Sequence, residues 1–172
     1  MSGNGKFRVQ AFNKAINRAD FCSSSEALNR YFQQQVSQDI KRRIATCFVA
    51  LNMENEVAGY YTLASTSIVL GDLPEHLAQK LPRYPTIPAV LMGRLAVDKR
   101  YTGQGLGGAL LADALWRAAY AEIAAYAVLV DAKDEAAVQF YRHFGFLPFV
   151  HQPFKLFFPL ASINQIKGCT ES

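Results

Sequence analysis

Cysteine, histidine and tryptophan are scarce in this chain, with three, three and one residues among 172. Cys22, Cys47 and Cys169 are odd in number and form no C-x-x-C pair, which argues against a disulfide framework or a structural zinc site. No base neighbours any of the thiols, so a cysteine nucleophile has no support. His76, His143 and His151 are scattered and flank no acidic motif. The residues therefore suggest neither a metal site nor an obvious general base. Long apolar runs are missing too. No stretch approaches the roughly 18 residues of a membrane span, and the polar stretch from Met1 to Gln10 has no signal-peptide character. Charge of one sign is not in large excess. Eighteen Lys and Arg against fourteen Asp and Glu leave +4, which permits a polyanionic partner without demanding one. Repeats and low-complexity linkers are absent.

Hydrophobic residues are abundant at 51%, against 19% charged, which suits a globular core and not a disordered chain. The expectation is one cytoplasmic, soluble domain over residues 7–160, with loosely ordered polar ends at 1–6 and 161–172. Phe7–Gln10 reads as a short strand. Ser23, Ser24 and Ser25 make an N-cap cluster. Leu28, Tyr31, Phe32, Val36 and Ile40 then recur at helical spacing, which predicts one amphipathic helix from Glu26 to Arg43. Thr46–Leu51 and Val57–Val69 read as strands of a hairpin turning at Asn52–Glu56. Pro74 opens a short helix, and Pro82, Pro85 and Pro88 stiffen a loop. Ala89–Val97 is an apolar strand broken only by Gly93 and Arg94. A glycine-rich turn and an Ala/Leu helix to about Ile123 come next. Ala127–Val130 is a buried strand, and Asp134–Phe144 a helix stopped by Gly145. Phe146–Val150 and Lys155–Phe158 close the chain as strands. The alternation gives an α/β fold with a mixed central sheet flanked by helices.

The most informative segment runs from Arg100 through Gly103, Gln104, Gly105, Leu106, Gly107 and Gly108. Glycines at this spacing turn the backbone sharply and leave several N–H groups facing one point. The helix that starts there adds its positive end, and Lys99 and Arg100 add counter-charge. The segment can be a connector without a ligand, although so many glycines cost backbone entropy. It also matches G-x-G-x-x-G, with Asp131 at the end of the next strand. A dinucleotide site, however, needs its first glycine directly after a strand, and Asp98–Thr102 intervene. A P-loop fails because no Gly-Lys-Ser/Thr follows.

A third reading is coenzyme A. Leu95-Ala96-Val97-Asp98-x-Arg100-x-x-Gly103-x-Gly105-Leu106-Gly107 resembles the signature of the GNAT N-acetyltransferases. Asp134-x-x-Ala137-x-x-Phe140-Tyr141-x-x-x-Gly145-Phe146 resembles that family's second element, with Asp134 where the family has Asn. Phe21–Asn29, Gly59–Leu63, Leu81–Pro85, Gly93–Asp98 and Val130–Lys133 extend the likeness to GNAT toxins of bacterial toxin–antitoxin pairs. The resemblance implies the GNAT fold, with acetyl-CoA as donor and no metal. It implies the amino group of aminoacyl-tRNA as acceptor, a ribbon-helix-helix antitoxin as partner, and a homodimer. It places the coenzyme against Leu95, Ala96, Val97, Arg100, Gly103, Gln104, Gly105, Leu106, Gly107, Gly108 and Asp134. The thioester carbonyl would meet a backbone N–H of Leu95–Val97, and Tyr141 would act as general acid.

Several residues carry two readings. Tyr141 is a general acid or a core aromatic like Phe140 and Phe144. Lys41, Arg42 and Arg43 complement a helix dipole or contact tRNA phosphates. Arg94, inside an apolar strand, faces the acceptor or forms an internal ion pair. Arg83 in the proline-bounded loop is also an acceptor-side candidate. Tyr60, Tyr61 and Tyr84 are candidates to stack on a terminal adenine, and strand alternation requires one of Tyr60 and Tyr61 to be core. Phe154–Phe158 offers an apolar strand edge for a second copy. Against the toxin stand a metabolic enzyme acetylating a small amine, and a binding module that acts through its partner.

Overall fold

The computed structural model describes residues 6–165. The strands are β1 (Arg8–Ala11), β2 (Thr46–Leu51), β3 (Val57–Val69), β4 (Thr86–Val97), β5 (Ala127–Asp131), β6 (Leu147–Phe149) and β7 (Gln152–Pro159). They follow the order β1-β2-β3-β4-β5-β7-β6. The sheet is mixed, because β4 and β5 pair in parallel while β1–β2, β2–β3, β5–β7 and β6–β7 are antiparallel. The helices are α1 (Glu26–Gln34), α2 (Val36–Lys41), α3 (Glu75–Ala78), α4 (Leu106–Ala119) and α5 (Glu135–His143). The chain forms two compact units, Met1–Ala64 with Met92–Ala114, and Ser65–Leu91 with Leu115–Ser172. Of the polar ends, residues 1–5 and 166–172, Cys169 among them, lie outside the described residues. Leu160–Gln165 form a 3-10 turn in which Leu160 and Ile163 are buried.

In the first unit, alternation along β2 sends Cys47, Val49 and Leu51 to one face, where they meet Phe21, Tyr31, Phe32, Val36, Val57 and Tyr60. Each large apolar side chain buried there contributes about 1.5–3 kcal/mol. The serine cluster does cap α1, since the Ser25 hydroxyl accepts from the Leu28 N–H at 3.2 Å. The hairpin turns where expected. The Asn52 side-chain oxygen accepts from the N–H groups of Glu54 and Glu56, both at 2.9 Å, and Asn55 takes the left-handed conformation.

The single helix expected over Glu26–Arg43 is two. Gln35, at φ −120° and ψ −29°, interrupts it. Tyr31, Phe32 and Val36 are all buried on either side of the break, so apolar spacing could not reveal it. Tyr60 and Tyr61 correct a second expectation, because both are fully buried. The Tyr60 ring stacks on Phe32 at 4.5 Å and its hydroxyl donates to the Leu28 carbonyl at 2.8 Å. The Tyr61 hydroxyl donates to buried Asp113 at 2.6 Å. Alternation does send the two to opposite faces, but both faces are covered, so neither ring is free to stack on a base.

In the second unit, β5 is apolar and buried over Ala127–Val130, between its parallel register with Ala89–Leu91 and its antiparallel register with β7. Ile68, Leu73, Ala89, Leu129, Phe149 and Phe157 form the core. Pro88 lies inside β4 and not in the preceding loop. Its carbonyl accepts from the Tyr126 N–H at 2.9 Å, a bond that asks nothing of the missing proline N–H. Helix α4 ends at Ala119, short of Ile123. Ile123 is 86% exposed, so no burial offsets the ordering of another turn. The Phe154–Phe158 segment is not an edge. It belongs to β7, which has β5 on one side and β6 on the other, and Leu156, Phe157 and Phe158 are buried.

Candidate active site

The glycine-rich turn is assembled from its anchor upward. β4 ends at Val97, and the Asp98 N–H then donates to the Ala58 carbonyl at 2.8 Å. The Asp98 side chain is only 2% exposed. Its carboxylate accepts from the N–H of Cys22 at 3.0 Å, the N–H of Arg100 at 2.9 Å and Nε of Arg100 at 3.1 Å. The Lys99 N–H donates to the Cys22 carbonyl at 2.9 Å. These bonds hold the carboxyl below the usual carboxylate range. The Arg100 side chain and the backbone N–H groups outweigh the opposing effect of burial. The Arg100 guanidinium also lies 3.6 Å from Glu56. Its charge is therefore committed to the anchor. Tyr101 braces the next step, as its hydroxyl accepts from Asn52 Nδ2 at 2.7 Å and its ring packs edge-on against Phe7.

Beyond that brace the chain turns through Gly103 at φ +79° and Gly105 at φ +80°, a conformation that costs side-chain-bearing residues roughly 1 kcal/mol. Helix α4 begins at Leu106, so Gly107 and Gly108 lie in its first turn, where N–H groups have no partner within the helix. No acidic residue occupies that turn. Leu106 is buried, whereas Gly103, Gln104 and Gly105 are exposed. The result is an exposed loop with left-handed glycines running into a helix N-terminus, an arrangement that receives anions. Gly59 on β3 permits this packing. A Cβ there would come within 2.8 Å of Leu110 Cδ1 and 2.9 Å of the Ala96 carbonyl oxygen.

Arg94 is half-buried on β4, and its guanidinium lies 3.5 Å over the Tyr31 ring. Lys41, Arg42 and Arg43 are all exposed, in the turn that ends α2. Cys47 is an inert strand residue, its thiol pushed up to about 12 by burial.

In the second unit, Asp134 caps α5 by accepting from the Ala137 N–H at 2.8 Å. Tyr141 follows two turns later, packed against Phe140 and Phe146 at 5.3 and 5.4 Å. Its hydroxyl bonds to no other described residue. Burial pushes it up to about 12, with the nearby Asp131 charge adding to the effect. It therefore keeps its proton throughout the neutral range. Arg83 and Tyr84 lie exposed before β4. Gly145, at φ +97°, ends the α5 turn. Among the described residues no group of three or more His, Cys, Asp and Glu is placed to hold a metal ion.

The Leu95–Val97 strand, the glycine loop and the α4 terminus lie in the first unit; Tyr141 and Asp134 lie in the second. Sequence reasoning missed Asp98 as the anchor and Gly59 as the close-approach position. The signal for Asp98 was an Asp two residues before Arg100 at a strand end, a side-chain cap of a short turn.

An acetyltransferase (GNAT) domain model matches residues 43–148. A tRNA-acetylating toxin of Mycobacterium tuberculosis is 35% identical over 128 residues, 73% of this chain and 75% of the relative. A probable toxin TacT of Sinorhizobium fredii is 36% identical over 121 residues, 65% of this chain and 67% of the relative. AtaT complexed with acetyl-methionyl-tRNAfMet superposes with a TM-score of 0.86 at 29% identity, covering 92% of this chain and 98% of the neighbour. AtaTR bound with AcCoA gives a TM-score of 0.80 at 30% identity, covering 93% and 97%.

Proposed function

The chain belongs to the GNAT acetyltransferases, and on that footing we propose that it acetylates the amino group of aminoacyl-tRNA and so blocks translation as the toxin of a toxin–antitoxin pair. As a GNAT enzyme it is an acetyl-CoA-dependent N-acetyltransferase. The observation that carries the acceptor is likeness over nearly the whole chain to AtaT, seen with acetyl-methionyl-tRNAfMet. The mycobacterial relative named as a tRNA-acetylating toxin supports it.

The chemistry follows from the residues. An α-amino group titrates at about 7.7–8.0, and esterification of its carboxyl lowers that value, so much of the nucleophile is neutral near pH 7. No strong base is required. The free N–H groups of Gly103–Gly108 and the α4 terminus receive the coenzyme's pyrophosphate. Arg100 serves this loop through Asp98, as a positioning residue. A backbone N–H of Leu95–Val97 steadies the carbonyl oxygen as negative charge develops on it. Tyr141 donates its hydroxyl hydrogen toward the departing sulfur. With its pKa raised to about 12, it is a weaker acid than a thiol at about 8.5. It therefore acts as a hydrogen-bond donor to the thiolate as the C–S bond breaks. Asp134 orients α5 through its cap, and so the Tyr141 it carries.

We assign Lys41, Arg42, Arg43 and Arg94 of the first unit, and Arg83 of the second, to contacts with the acceptor, the exposed cations meeting tRNA phosphates. The partner is a ribbon-helix-helix antitoxin. The AtaT Y144F mutant toxin bound to the C-terminus of the antitoxin AtaR, and the AtaT–AtaR complex bound to DNA, both similar in fold, support an antitoxin partner. We further assign residues 7–160 to a single catalytic domain, a homodimeric state and a cytoplasmic location. Among the described residues no helix is long and apolar enough to cross a membrane.

The test is to incubate the protein with labelled acetyl-CoA and charged tRNA, beside uncharged tRNA and a panel of free amines. Label on charged tRNA alone, lost in Tyr141→Phe, is the expected result. Label on a free amine with charged tRNA untouched overturns the acceptor and makes this a small-amine enzyme. No label anywhere points to a binding module.

A further inference from the structure

The buried pair of Tyr31 on α1 and Asp39 on α2 takes no part in acetyl transfer as described, yet it joins the two cationic features of the first unit. Arg94 leaves β4 one residue before Leu95–Val97, and its guanidinium stacks on the Tyr31 ring at 3.5 Å. The Tyr31 hydroxyl donates to Asp39 Oδ2 at 2.8 Å, and Gln35 Nε2 donates to Asp39 Oδ1 at 3.1 Å. Asp39 is 8% exposed. Its carboxyl is held below the usual range, chiefly by the Gln35 bond against the effect of burial, with help from Tyr31, Arg94 and Arg42. The Asp39 carbonyl accepts from the Ile44 N–H at 2.9 Å. That bond closes the turn containing Lys41, Arg42 and Arg43, and Arg43 there has φ +60°. Three exposed cations therefore project from a backbone held by one buried carboxylate residue.

Packing alone does not call for this arrangement. A buried charge costs desolvation, and apolar side chains fill the same space at less cost. A basic last turn complements a helix dipole without any buried partner. We infer that Tyr31, Gln35 and Asp39 are positioning residues for the RNA acceptor, holding the Lys41–Arg43 turn in fixed register with Arg94 and the acetyl-transfer strand. The cations then meet phosphates near the charged end of the RNA while its amino group reaches β4. This rests on the aminoacyl-tRNA reading above.

The experiment measures kcat and KM of the full chain for charged tRNA and for the methyl ester of the same amino acid, which has no phosphates, across a salt series. Tyr31→Phe keeps the ring under Arg94 and loses only the hydroxyl. Gln35→Ala, at an exposed position, removes the second donor even if Tyr31→Phe fails to fold. In both variants KM for charged tRNA is expected to rise, about fivefold or more in Tyr31→Phe, with kcat and the ester kinetics nearly unchanged. The slope of log KM against log salt should fall by about one, one phosphate contact's worth. An equal rise for both acceptors, or an unchanged tRNA KM and slope in Gln35→Ala, overturns the inference. A wild-type protein that acetylates the ester and never charged tRNA overturns the acceptor reading, and the network's role with it.

Discussion

Replacing Asp98 by Asn tests the anchor of the coenzyme loop with almost no change of shape. The carboxylate is buried and accepts from two backbone N–H groups and the Arg100 side chain. Asn keeps one acceptor oxygen but turns an NH2 toward a donor, and it leaves Arg100 facing only Glu56. Breaking a buried charge pair costs about 3–5 kcal/mol. Arg100 is 44% exposed on its side chain, so solvent screens part of that, and about 3 kcal/mol is the expected loss. For a chain of this size each kcal/mol lowers Tm by about 2–4 °C, giving a drop of roughly 6–12 °C. The same change should raise KM for acetyl-CoA, since the loop loses its register. The pH dependence has a definite sign. The folded-state pKa of Asp98 lies below its ordinary 3.8, so the carboxylate's contribution is complete above pH 3.8 and fades as pH falls through the folded value. Thermal melts of wild type and Asp98→Asn should therefore differ fully at pH 7 and converge in the acid range. A Tm within about 2 °C of wild type at pH 7, or a gap that persists unchanged once the carboxyl is protonated, refutes the reasoning.

Tyr141→Phe removes one hydrogen-bond donor to the leaving thiolate and should lower kcat by about 10²–10³ with an unchanged melt, as read by labelled acetyl transfer. Because burial raises the tyrosine to about 12, the wild-type rate should show no alkaline limb from this residue below about pH 11. Gly59→Ala places a methyl against Leu110 and the Ala96 carbonyl, and should cost about 1–3 kcal/mol in a urea melt. Gly103→Ala meets open space but keeps φ +79°, so it should cost only about 1 kcal/mol of stability while raising KM for acetyl-CoA.

The hairpin was legible to the residue at both strands, because β-branched and aromatic runs flank an Asn-rich turn. The α5 helix was legible because Asp134 and Gly145 mark its two ends. The broken helix was not, since Tyr31, Phe32, Val36 and Ile40 keep apolar spacing across Gln35. Only the backbone conformation at Gln35 shows that the run is interrupted there. Tyr60 and Tyr61 show the same limit. Alternation assigned them to opposite faces, but whether a face is covered depends on what packs there: α1 for Tyr60 and Asp113 of α4 for Tyr61. The Phe154–Phe158 segment was read correctly as a strand and wrongly as an edge, because pairing partners lie far away in sequence.

By itself the sequence determined the type and order of most elements, the glycine loop and the family signature. These rest on local chemistry: glycine's access to positive φ, side-chain caps and apolar period. The tertiary structure alone decided which charges are free and which are committed. Arg100, adjacent to the loop, spends its charge on Asp98 and Glu56, and Arg94 rests on Tyr31 without a salt bridge of its own among the described residues. That outcome depends on distances between residues many positions apart, and charge energies fall off with distance and burial in space, which spacing along the chain does not record.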